Sequence, residues 1–89
     1  MEIYLKETTR DEDKIQKIYS FPNGYGASVI KGKYTYGGDK GLWELAPWIN
    51  DTNEFIGVSL LGWGDDVKGN LHDPDVHAIL GTISRLPSA

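Results

Sequence analysis

KIQKIYSFPNGYGASVIK, residues 14–31, is the stretch on which the fold turns. Ile15, Ile18, Tyr19 and Phe21 give 15–21 a β-branched and aromatic character, Pro22, Asn23 and Gly24 interrupt it, and a second run with Tyr25, Val29 and Ile30 occupies 25–31. Asn-Gly between two such runs is the strongest short hairpin signal, because both residues tolerate the positive φ that a type I′ turn demands. The spacing therefore predicts that 15–21 pairs antiparallel with 25–31.

Upstream, EIYLK at 2–6 alternates, with Ile3 and Leu5 on one side and Glu2, Tyr4 and Lys6 on the other, as a half-buried strand does. TTRDED at 8–13 has no apolar anchor and reads as a solvated turn. Downstream, KGK and YGGDKG repeat the punctuation, so GLWELA at 41–46 is expected to be a third paired strand with Trp43 and Leu45 on one face. Pro47 is expected to end that strand or confine it to a sheet edge. Another turn over 50–53 then leads to FIGVSLL, 55–61, as the last strand, with Ile56, Val58 and Leu60 facing together.

The character changes at residue 62. GWGDDVKGN is loop-like, whereas HDPDVHAILGTISRL carries helix signals. Asp73 is placed to accept hydrogen bonds from the first-turn amides, Pro74 suits the first helical position, and Asp75 complements the dipole. Val76, Ile79, Leu80, Ile83 and Leu86 fall on one apolar face. Such a helix needs a sheet to cover. The expected fold is α+β: a small antiparallel sheet of four or five strands, a meander of hairpins, packed against one C-terminal helix, with residues 1–89 forming a single domain.

Composition limits the functions. The chain holds no cysteine, which removes disulfides, thiolate metal sites and a thiol nucleophile together. Thirteen acidic residues against nine basic ones give a net charge of −4, leaving no overall positive field to hold a phosphate backbone, so nucleic acid is a disfavoured partner. No signal-peptide pattern or membrane-length apolar run is present, and an intracellular setting is expected.

The candidate chemistry is sparse. Gly24 and Gly26 do not continue into G-x-G-x-x-G between a strand and a helix, and no phosphate-binding G-K-S or G-K-T occurs. His72 and His77 are five positions apart rather than four, a poor spacing for two ligands on one helix face, so neither a metal nor a cofactor is expected. Asp65 and Asp66 lack a nucleophile placed near them by the sequence, and no catalytic residue is assigned. The aromatics remain. Tyr19, Phe21 and Trp43 suit a core, while Tyr25, Tyr34, Tyr36, Trp48 and Trp63 fall in or beside turns, where Tyr and Trp can supply rigid contact area with a polar handle. With Lys31, Lys33 and Asp66 they form the candidate binding set.

FPNGYGASVI, then YTYGG and GLWELA, followed by DDV and an amphipathic C-terminal helix, resembles a family of small bacteriophage and prophage proteins. The likeness covers residues 19–86, and its first blocks are the specific ones. It departs where Ala46, Pro47 and Trp48 replace aliphatic residues, and in the longer loop before the helix. The resemblance implies a phage origin and a place in the cytoplasm of an infected bacterium, and it supplies no catalytic residues. Two functions follow as expectations. One is a non-enzymatic counter-defence or host-takeover inhibitor that binds a host protein through its Tyr/Trp-rich turns. The alternative is a homo-oligomer that sequesters a small nucleotide-type ligand, stacking its base on aromatics and meeting its phosphates with Lys31 or Lys33.

Overall fold

A computed structural model describes residues 2–89. Five strands, β1 (Leu5–Arg10), β2 (Lys14–Ser20), β3 (Tyr25–Gly32), β4 (Trp43–Ile49) and β5 (Lys68–Leu71), form one antiparallel sheet in the order β1-β2-β3-β4-β5. Helix α1 (Asp73–Ser84) follows and lies over β3 and β4. This is the expected α+β meander.

The central hairpin has the expected register, from Lys14 opposite Gly32 to Ser20 opposite Gly26. Its turn is of another type. Only Gly24 takes a positive φ there, at 91°, and its N–H donates to the Phe21 carbonyl at 3.1 Å. This is a type I turn closed by a left-handed glycine, not the type I′ turn expected. Asn23 stays outside the left-handed region and has a tertiary task. Its side-chain amide donates to the carbonyls of Ile83 at 2.8 Å and Leu86 at 3.1 Å, satisfying acceptors that the end of α1 leaves without partners.

The first strand lies later than the alternation at 2–6 suggests. Residues Glu2–Tyr4 form a 3-10 turn with Ile3 exposed, and the polar 8–10 segment belongs to β1. An edge strand with little burial needs no apolar anchor, and the reversal shrinks to 11–13, where Asp11 Oδ1 accepts the N–H groups of Asp13 and Lys14.

β4 starts at Trp43 rather than residue 41 and runs through Pro47, which is buried, instead of ending there. Pro47 is tolerated inside the sheet because its carbonyl, and hence its missing N–H, points away from β3. That carbonyl meets Ile56 N–H at 3.0 Å, at a level where only a bridge lies alongside.

The expected strand at 55–61 does not form. Phe55 makes a single bridge to Trp48, Ile56 is buried, and the chain then folds back on itself. Leu60 and Leu61 donate to the Ile56 carbonyl, and Trp63 donates to Gly57. Gly57 is required at this crossing, since a Cβ there would lie 2.8 Å from the Asp66 backbone and from the Trp63 ring. Val58 and Leu60 are consequently exposed rather than facing inward with Ile56. The place of a last strand is taken by β5, inside a segment that reads as loop.

α1 buries Val76, Leu80 and Ile83 as the apolar face requires, with Ile79 and Leu86 half-buried beside them. Its N-terminus sits one residue earlier than expected. His72 is the N-cap residue, its N–H donating to Asp75 Oδ2 at 2.9 Å, and Pro74 is the second helical residue. Asp73 is therefore not the cap. Its carboxylate instead accepts the indole N–H of Trp43 at 2.7 Å, tying the start of the helix to β4.

Candidate functional site

Strand register sorts every sheet residue to one of two faces. Under α1 lie the rows Tyr19–Ala27–Pro47 and Lys17–Val29–Leu45, which with Phe21, Trp43 and Ile56 make the core. The other face carries Ser20–Gly26–Trp48, Ile18–Ser28–Ala46 and Gln16–Ile30–Glu44, and among the described residues no helix covers it.

The eight candidate binding residues fall in different places within this frame. Tyr25 is in the core beneath α1, so its side chain is withdrawn from any recognition surface. Lys31 also faces the helix side, where its ammonium stands 4.4 Å from the centre of the Trp43 ring, with Lys17 at 5.5 Å from the same ring. Trp48 is half-buried on the uncovered face, over Gly26: a Cβ at Gly26 would come within 2.8 Å of its indole nitrogen. Asn50 accepts that indole N–H at 3.2 Å and donates to Ser20 Oγ and the Tyr25 carbonyl.

Trp63 and Asp66 lie in the 57–67 excursion. The Trp63 ring is half-buried with Lys68 Nζ 4.8 Å from its centre, and Asp66 Oδ1 accepts Val58 N–H at 3.1 Å, so both close this loop on itself. Asp66 is a turn residue here.

Tyr34, Tyr36 and Lys33 remain together, on the 33–42 connection between β3 and β4. The two phenols are the most exposed large aromatic groups among the described residues, at 85% and 72%. Lys33 Nζ lies 5.6 Å from the Tyr34 ring. Their backbone is nevertheless well anchored. Thr35 Oγ1 accepts Gly32 N–H and is within 3.0 Å of the Gly32 carbonyl, Tyr36 N–H donates to Glu44 Oε2 at 3.1 Å, and the Tyr36 carbonyl accepts Asn70 N–H at 3.4 Å. The connection then closes with Gly37 and Gly41 in the left-handed region flanking a short 3-10 turn, Gly38–Lys40. On its β1 side Tyr34 borders an open hollow of about 470 Å³, lined also by Asp11, Glu12, Asp13 and Lys14.

A second groove, of about 240 Å³, runs between β2 and α1 and is lined by Lys17, Tyr19, Asp73, Val76, His77 and Leu80, with Glu2 at its side. Burial, reinforced by the Glu2 carboxylate, raises the Tyr19 phenol above its ordinary pKa. Sequence reasoning did not single out Lys17. Its position opposite Val29, beside the Lys31–Trp43 level, follows from the hairpin register and could have been read from it.

Among the described residues, no group of three or more His, Asp or Glu side chains is gathered as a metal site would need, and no helix is long and apolar enough to cross a membrane. No family model, curated protein or solved structure matches the chain.

Proposed function

We propose that this is a non-enzymatic binding protein that docks on another protein through the 33–42 tyrosine loop and the adjoining acidic turn. The observation that carries the reading is the pairing of high exposure with a fixed backbone at Tyr34 and Tyr36. Exposed tyrosines on a pre-organised loop lose little entropy on contact, which is how binding loops derive most of their energy from few side chains. Asp11, Glu12 and Asp13 beside Tyr34 favour a basic patch on the partner. With the resemblance to phage proteins, the partner is a host protein of the infected bacterium, and the outcome of docking is inhibition in host takeover or counter-defence.

Affinity capture from bacterial lysate, comparing the wild type with Tyr34→Ala and Tyr36→Ala, tests this. Each change is expected to leave stability within about 1 kcal/mol and to weaken capture of one specific protein about tenfold or more. Capture should also weaken with added salt. A melt lowered in step with lost capture would mean that the tyrosines only support the fold. Retention of a small nucleotide in place of a protein would replace the reading with the ligand-sequestering alternative.

A further inference from the structure

Asn23 is followed by glycine, as none of Asn50, Asn53 and Asn70 is. Glycine has no Cβ to shield its backbone nitrogen, so that nitrogen can close on the side-chain amide of the residue before it. Gly24 N gives up its proton to hydroxide and bonds to Asn23 Cγ. The Cγ–Nδ2 bond then breaks, and Nδ2 leaves as ammonia, taking a proton from water. A water molecule opens the resulting five-membered imide at either of its carbonyl carbons, leaving an aspartate or an isoaspartyl link. Water enters, ammonia departs, and no other reactant is consumed.

In this fold the reacting groups are all engaged elsewhere. Gly24 N–H donates to the Phe21 carbonyl at 3.1 Å. Asn23 Nδ2 donates to the carbonyls of Ile83 at 2.8 Å and Leu86 at 3.1 Å, and Oδ1 accepts Tyr25 N–H at 3.3 Å. Ala89 closes over the dipeptide: its N–H donates to the Asn23 carbonyl at 2.9 Å, and a Cβ on Gly24 would stand 3.2 Å from its own. The reaction cannot run with these bonds in place. Deprotonation of Gly24 N ends its bond to Phe21, and drawing Cγ onto that nitrogen pulls Nδ2 away from the helix end.

We propose that Asn23–Gly24 is a site of spontaneous deamidation gated by the 83–89 segment. While the segment is docked the asparagine persists, and when the segment lifts the imide can close. The change runs one way. A carboxylate at this position has no hydrogen to donate to Ile83 and Leu86 and sets its charge against their oxygens, while an isoaspartyl link adds an atom to the backbone of the turn. Either product leaves the helix end without its latch and adds one negative charge to a chain already at −4. The gate does not depend on the tyrosine loop, and the loop reading does not depend on the gate.

The intact chain, held at mildly alkaline pH in heavy-oxygen water and read by peptide mass spectrometry, tests the gate. Folded wild type is expected to take up label at residue 23 at least about tenfold more slowly than the same chain unfolded in urea. Leu86→Ala combined with Pro87→Gly loosens the segment beyond the helix and should speed labelling of the folded chain about fivefold. Val76→Ala, at the far end of α1, should speed it less. Asn23→Asp, which reproduces one product, should speed hydrogen exchange of the amides at 85–89 that are bonded in the wild type.

Folded wild type reacting as fast as the unfolded chain overturns the proposal, as does an unfolded chain that takes up no label. So do a folded double variant no faster than wild type, equal acceleration by Val76→Ala, and unchanged exchange at 85–89 in Asn23→Asp. Should the double variant not fold, Ala89→Pro, which deletes only the N–H given to the Asn23 carbonyl, decides in its place. Should Asn23→Asp not fold, aged wild type separated by its added charge supplies the exchange measurement.

Discussion

Trp43 and Trp48 sit on the same strand and on opposite faces of the sheet, and they are held differently. Trp43 faces the helix, gives its indole N–H to the Asp73 carboxylate, and lies under the ammonium groups of Lys17 and Lys31. Trp48 faces outward, covers Gly26, and gives its N–H to Asn50 at the end of its own strand. One indole joins two elements, whereas the other finishes a surface. The covered face is tied to the helix, whereas the uncovered face is completed within the sheet, Asn50 reaching from the end of β4 across β3 to Ser20 on β2.

The sharpest way to break that comparison is to empty each side in turn. Ile83→Ala, beneath α1, is expected to cost about 2–5 kcal/mol, whereas Ile30→Ala on the uncovered face should cost no more than about 1.5 kcal/mol in dilute protein. Chemical denaturation measures both, and equal losses would mean that the two faces are packed alike. A finer test separates the two indole bonds. Trp43→Phe leaves the Asp73 carboxylate without that donor and should cost about 1.5–3 kcal/mol, against about 1 kcal/mol for Trp48→Phe, where only a neutral bond is lost. A reversed order in thermal melts would contradict the division of roles.

The smallest effect concerns Tyr19, on the covered face. Its phenol has a raised pKa in the fold, so it favours the neutral form. Its stabilising contribution is complete below the ordinary value of 10.0 and is lost as pH rises through the higher folded value. Stability is expected to decline above pH 10.0, and less steeply in Tyr19→Phe. An identical alkaline limb in both proteins would remove Tyr19 as its source.

The parts legible in the sequence are those whose causes are local. The 14–31 hairpin and the 76–86 apolar face follow from period and punctuation, and both stand where the residues place them. The reading of 55–61 failed because alternation reports a strand's preference and not the room beside it. Phe55 reaches β4 for one bridge, and Gly57 then crosses so close to Asp66 that the chain turns away. β5 was missed for the opposite reason. KGNL has almost no strand signal, and β4 supplies the pairing that its composition does not. Among the candidate site residues, Tyr34 and Tyr36 are exposed as turn aromatics can be, but Tyr25 and Lys31 point the other way because strand parity, not nearness to a turn, sets the face.

The amide of Asn23 has a further consequence, for the order of events during synthesis. Neighbouring strands are consecutive in the chain, so the sheet can assemble progressively as it leaves the ribosome, with short connections at 11–13 and 21–24 and longer ones at 33–42 and 50–67. The amide acquires its acceptors only when Ile83 and Leu86 have been made, and the Asn23 carbonyl meets the Ala89 N–H later still. A nascent chain therefore forms this hairpin before the partners of its turn exist, and the helix is latched to the sheet only once residues 83–89 have been made.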